Sequence, residues 1–147
     1  IYGRGILMID AARWLAKRWL LGVWKKPTWI HLISTIDFLN ATEAAVRKNV
    51  SGIYHLGDEG IITLQDFFDL ATKEWGYKKP WRMPVGLIFT AARLCEFHSR
   101  LFNVKSPLTK DFLKIGMASY YGDTDSMRKD LLPELLYKNI HEGIHTL

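Results

Sequence analysis

The chain has 147 residues, 48% of them apolar, the size of one ordinary domain and enough to bury a core. Its 20 Lys and Arg against 15 Asp and Glu leave a formal charge of +5, which admits phosphates, nucleotides or an anionic membrane face as partners without selecting one. The single cysteine, Cys95, excludes an internal disulfide and a cysteine-based zinc site, and a reducing, cytoplasmic compartment is expected. The first residues do not read as a signal peptide.

Ile1-Tyr2-Gly3-Arg4-Gly5 reads as the end of a strand turning into a helix, so the chain is expected to be the C-terminal part of a longer enzyme. From residue 7 to 20, Met8, Ala11, Ala12, Leu15 and Trp19 recur at helical spacing with Arg13, Lys17 and Arg18 opposite them, which predicts an amphipathic helix ended by Gly22. Residues 28–33, β-branched and aromatic after Pro27, predict a strand. Ser34 with Asp37 three residues on is a capping box that opens a helix through Lys48. Residues 52–58, with glycine near both ends, predict a further strand, and Thr63 with Asp66 caps the next helix, which Gly76 stops.

Trp81, Arg82 and Pro84 are expected in a loop. Residues 85–102 follow as a largely buried helix, because Arg93, Glu96, His98 and Arg100 interrupt any membrane span. Cys95 falls within it as expected core. Pro107 is placed at the start of a short helix through Ile115. Residues 119–121 read as extended, Asp125 or Ser126 as a cap, and the tail from Lys138 as weakly helical. No repeat or low-complexity linker divides the chain, so residues 1–147 are expected to form a single, mostly helical unit with about three short strands.

Several motifs carry a chemical reading and a structural one. His141-Glu142-Gly143-Ile144-His145 matches H-E-x-x-H, in which two imidazoles on one helix face hold zinc. Only two residues follow it and glycine weakens the helix, so no metal is expected. Arg13-Trp14, Lys17-Arg18-Trp19 and Trp24-Lys25-Lys26 interleave cations and aromatics as an RNA-binding or membrane-surface helix does. The preferred reading is a helix whose indoles pack inward and whose cations stay solvated. The Gly3-Arg4-Gly5 turn suits either a tight strand-to-helix turn or a phosphate loop. His31 and His55 lie in strand-like runs, where a structural histidine is the commoner case, and Arg82 suits either an anionic substrate group or the surface.

Taken in order, Tyr2-Gly3-Arg4-Gly5, Ile30-His31-Leu32 running to Asp37-Phe38-Leu39, Gly52 through Asp58, Thr63-Leu64, Pro84, Ser106-Pro107, Asp123 through Leu131, and Glu142-Gly143-Ile144 resemble the C-terminal half of the NAD(P)-dependent epimerase/dehydratase family, the extended short-chain dehydrogenases/reductases. The resemblance covers essentially the whole chain. It departs from the family at Ile36, where an Asp-Asp pair is common, and at Lys26-Pro27-Thr28-Trp29, where the nucleotide-sugar members carry an Arg-Asp-Tyr-like run.

The resemblance implies an α/β fold: the last strands of a Rossmann domain joined to a mostly helical substrate lobe. The dinucleotide loop and the catalytic Tyr-x-x-x-Lys would belong to an N-terminal half outside this sequence, and no catalytic residue is assigned within it. It further implies NAD or NADP in the full-length protein and hydride transfer at a hydroxyl or carbonyl carbon. The small-molecule substrate would be lined by Tyr2, Arg4, His31 and Arg82, with Tyr2 and Gly3 toward the cofactor. The expected partners are that substrate and the N-terminal half, with no nucleic acid and no membrane; a homodimer is compatible. The rival reading is a non-catalytic binding domain for nucleic acid or an anionic membrane surface.

Overall fold

The computed structural model describes residues 1–102, 104 and 109–147. It is a mixed α/β structure of seven helices, four strands of three residues and a closing 3-10 turn among the described residues. The expected helix start at Pro107 and the Ser106-Pro107 signature lie outside the described residues.

Helix α1 spans Leu7–Lys17 and buries Ile9, Ala12 and Ala16, a stripe at i, i+3 and i+7. That face differs from the expected one: Met8 and Trp19 are exposed. The smaller alanines let α1 approach Trp75 and Tyr77 closely, and the larger side chains are left outside. Strand β1 (Gly22–Trp24) pairs in parallel with β4 (Trp81–Met83), in the register Val23 opposite Arg82. Residues 81–83 are thus a strand and not the expected loop; the crossover partner 59 residues away supplies the ladder that local sequence does not announce. Strand β2 (Trp29–His31) pairs antiparallel with β3 (Ile61–Thr63).

The chain continues extended beyond β2, and its side chains alternate. Ile30 and Leu32 enter one core with Tyr2, Phe67, Ile140 and Leu147, while Ile33 enters a second with Met127, Leu131 and Leu135. The segment is therefore buried on both sides.

The two capping boxes form as read. Ser34 Oγ accepts the Asp37 N–H at 3.0 Å and donates to Asp37 Oδ2 at 2.7 Å, starting α2 (Thr35–Lys48). Thr63 Oγ1 repeats this with Asp66 at 3.0 and 2.6 Å, starting α3 (Leu64–Glu74). Residues 52–58, expected as a strand, carry no ladder among the described residues. Ile53 is 90% exposed, and the segment is held by the Asp58 N–H donating to Leu32 O at 2.7 Å and by the Tyr54 hydroxyl donating to Asp130 Oδ2 at 3.2 Å. Alternating apolar residues favour extension, but a strand also needs a neighbouring backbone.

Helix α4 (Val85–Phe102) buries only Ile88 and Ala92, against Leu113 of α5 (Lys110–Gly116). Leu87, Leu94, Phe97 and Leu101 are exposed, and Cys95 is half-buried, so the helix is not the buried element its composition suggested. After α6 (Asp125–Asp130), α7 (Ile140–Gly143) and the turn Ile144–Thr146 return the tail to the first core.

Tyr2 is the largest fully buried side chain. Its hydroxyl finds no hydrogen-bond partner among the described residues and lies against Gly143, where any β-carbon would collide with it. Gly143 has an ordinary helical φ of −90°, so glycine is required there for space and not for backbone freedom. An unpaired buried hydroxyl costs about 1–3 kcal/mol and overpacking a core about the same. In urea denaturation, Tyr2→Phe is expected to be neutral or stabilising by about 1 kcal/mol, Gly143→Ala to destabilise by about 2 kcal/mol, and the double variant to recover part of that loss. Additive losses would contradict the packing described.

Candidate functional site

The turn after Tyr2 and the start of α2 lie side by side. Tyr2 and Ser34 form a parallel bridge, with Tyr2 N–H to Ile33 O at 2.9 Å and Thr35 N–H to Tyr2 O at 2.8 Å. Both segments turn at once into helices, and a cavity of about 420 Å³ opens there, lined by Gly3, Arg4, Ser34, Thr35, Ile36 and, from the tail, Tyr137, His145 and Thr146.

The donors in this cavity differ in freedom. The Arg4 side chain is exposed at the rim and has no carboxylate partner among the described residues, so its guanidinium is available to an anion. Ser34 is committed to Asp37, and Thr35 Oγ1 donates to Tyr2 O at 2.8 Å. Tyr137 Oη and His145 Nε2 approach to 3.4 Å with their rings edge to face. Asp37 fixes this tail: its carboxylate accepts the N–H groups of Leu136 at 2.7 Å and Tyr137 at 3.2 Å. With Ser34 engaged, the cavity presents the Arg4 guanidinium to a ligand and no free serine nucleophile.

The four expected substrate residues do not converge. Arg4 lines this cavity, whereas the Tyr2 ring is in the core below and meets no open space. Gly3, expected toward the cofactor, has φ +137°, and its open side is filled by Thr35, whose Oγ1 would lie 2.5 Å from a β-carbon. That glycine serves the close approach of two segments. His31 lines neither cavity: its Nε2 donates to Asp58 O at 2.7 Å, and its ring covers Gly57, where a β-carbon would come within 2.6 Å of it. Arg82 lines a different cavity and donates through Nη2 to Asp69 Oδ1 at 2.7 Å and Gln65 O at 3.1 Å.

Sequence reasoning did not single out Gln65 or Tyr137, and it read His145 only as part of the H-E-x-x-H run. Gln65 is buried, accepting the Thr28 N–H at 3.2 Å and donating to the carbonyls of Trp24 and Lys26 at 2.8 and 2.7 Å, so it fastens the turn between β1 and β2. Its signal was a polar residue on the apolar face of α3. The H-E-x-x-H run is split between α7 and the 3-10 turn, with Glu142 Oε2 accepting the Lys138 N–H at 3.0 Å. No group of three or more potential metal ligands comes together among the described residues.

Asp58 is 2% exposed and has one donor on its carboxylate, the Gly60 N–H at 2.9 Å. Burial pushes its carboxyl up to about 6, against the opposing pull of that N–H, His31 and Arg128 and with a smaller push from Asp37. The folded state therefore holds this proton more tightly than the unfolded chain, and stability falls as pH rises from about 4 to about 6, reaching a full penalty of about 3 kcal/mol above that window. Asp58→Asn keeps an acceptor for Gly60 and removes the charge. Denaturation at pH 4.5 and 7.5, values either side of about 6, is expected to show the variant stabilised more at the higher pH, by about 2 kcal/mol; equal stabilisation at both would refute the assignment.

No family model and no curated protein sequence matches the chain. Among solved structures, the crystal structure of gox2253 is similar, with a TM-score of 0.62, 16% sequence identity and 95% of this chain covered. The chain spans 42% of the length of that one. At this identity the likeness concerns the fold alone.

Proposed function

We propose that this chain is the substrate-binding, C-terminal portion of an NAD(P)-dependent oxidoreductase, epimerase or dehydratase of the extended short-chain type. The observation that carries the reading is the parallel pairing of Tyr2 with Ser34 beside the cavity at Gly3, Arg4, Ser34, Thr35 and Ile36. Open α/β sheets bind ligands at the carboxyl ends of their strands, where the chain turns into helices, and both segments turn there. The motif order given by the sequence and the 42% span of the gox2253 chain agree with a longer protein.

In that protein the nicotinamide would exchange a hydride with a hydroxyl or carbonyl carbon. This chain's own part is binding. Arg4 would hold a carboxylate, phosphate or other electronegative group at the cavity mouth, Tyr137 and His145 would close its far side, and the Tyr2 core beneath would keep the two walls at fixed separation. The cofactor's pyrophosphate would be held elsewhere, because Gly3 is spent on Thr35.

Two measurements test this. Titration of the chain with NADH, followed by nicotinamide fluorescence, is expected to show no saturable binding; a Kd in the micromolar range would contradict the assignment of the cofactor to another segment. In the full-length protein, Arg4→Ala is expected to lower kcat/KM by about 10-fold or more at unchanged Tm, as loss of a charged hydrogen bond of about 1.5–3 kcal/mol implies. Unaltered kinetics would reduce Arg4 to a turn residue.

A further inference from the structure

The aromatic residues at the end of α1 face outward. Trp14, Trp19, Leu20 and Trp81 are 53%, 56%, 63% and 63% exposed. Trp19 follows the helix in the left-handed backbone region, φ 60°, which turns its side chain away from the core. Trp81 Nε1 donates to Trp19 O at 2.9 Å, holding the two residues together across 62 positions. The expectation that the indoles of this basic stretch pack inward is thereby corrected for Trp14 and Trp19, whereas Trp24 does pack against Ile88, Ala92 and Leu113.

Cations are built into the same face. The Arg18 guanidinium lies 3.9 Å from the centroid of Trp14, and the Lys78 ammonium lies 3.4 Å from that of Trp19. Asp69 is already shared by Lys79 at 3.2 Å and Arg82 at 2.7 Å. Lys17, Arg18 and Lys78 have no carboxylate partner among the described residues. A cavity of about 430 Å³ opens between Trp19, Leu21, Lys78, Lys79, Trp81 and Arg82.

We propose that this face docks on the surface of a lipid bilayer carrying anionic headgroups. Indoles favour the boundary where an apolar body meets a wet polar edge, and juxtaposed cations are drawn to the negative surface potential. No helix among the described residues is long and apolar enough to cross a membrane, so the mode is peripheral, with Leu20 and the indoles at headgroup depth. Two other occupants fit less well. Single-stranded nucleic acid needs free aromatic faces for base stacking, and here Trp14 and Trp19 each have one face covered by a cation. A second copy meeting this face about a twofold axis would bring Lys17, Arg18 and Lys78 toward their own equivalents.

The test is co-sedimentation of the chain with vesicles of phosphatidylcholine alone and of phosphatidylcholine with about one third phosphatidylserine. Binding is expected only to the anionic vesicles and is expected to weaken with added salt. Lys17→Glu with Arg18→Glu should weaken it about 10-fold or more, while Lys129→Glu with Lys138→Glu, the same charge change on exposed residues of other elements, should alter it less than about 2-fold. Trp14→Ser with Leu20→Ser should weaken it at every salt concentration, with circular dichroism confirming that the variants are folded. The proposal is overturned by absence of binding to the anionic vesicles, by equal effects of the two charge-reversal pairs, by tighter binding to a single-stranded RNA oligonucleotide, or by a concentration-dependent dimer that Trp14→Ser abolishes.

Discussion

The backbone of Tyr2 is held on both sides by the segment that enters α2. Its N–H donates to Ile33 O at 2.9 Å, and its carbonyl accepts from both the N–H and the Oγ1 of Thr35 at 2.8 Å. This clamp places the phenol ring in the core beside Ile140 and Leu147, so that three distant stretches of chain meet at one residue. Gly3 and Gly143 are the two positions where the approach leaves no room for a side chain. The Gly3–Arg4 cavity exists because the clamp sets its two walls side by side, and the tail closes it because Asp37, in the first turn of α2, captures the N–H groups of Leu136 and Tyr137. Fold and candidate site therefore share one set of contacts.

Two buried carboxylates show how the polar groups near this clamp are balanced. Asp37 receives hydrogen bonds from Ser34 Oγ and from two backbone N–H groups of the tail, which together replace much of the water it gives up. Asp58 receives one, from Gly60, and burial accordingly dominates its ionisation. The molecule spends its donors on the acid that joins the tail to α2 and leaves the other under-solvated. His31 does not compensate directly, because its Nε2 is used on the Asp58 carbonyl and not on the carboxylate.

What was legible in the sequence was local chemistry. The boxes at Ser34 and Thr63 specify their own hydrogen bonds within three residues, and Gly76, at φ 73°, marks the stop it was expected to mark. What escaped depends on partners far along the chain. Residues 81–83 are a strand because β1 lies alongside, and residues 52–58 are not because the described backbone meets them at Asp58 alone, through its N–H to Leu32 O. Composition likewise failed to say which face of an apolar helix is covered. In α4 the small Ala92 and Ile88 pack and the larger Leu94, Phe97 and Leu101 do not, and in α1 alanines displace tryptophans from the core. Of the expected site residues, Gly3 and Arg4 line one cavity and Tyr2 is buried beneath it, whereas His31 lies on Gly57 and Asp58, and Arg82 lines the other cavity. Tyr137 is brought to the first cavity by the Asp37 contact across 100 residues, and His145 by the packing of Ile140 and Leu147, neither of which a local pattern encodes.

The account makes the Tyr2 clamp the organising contact of both core and cavity. Native-state amide hydrogen exchange reads it directly, since the N–H groups of Tyr2 and Thr35 are the two bonds that close it. Protection of both amides equal to that of Ala71, in the fully buried heart of α3, is the expected result. Exchange of Tyr2 and Thr35 at the rate of the exposed residues 51–53 would show the clamp to be open in solution and would contradict the account.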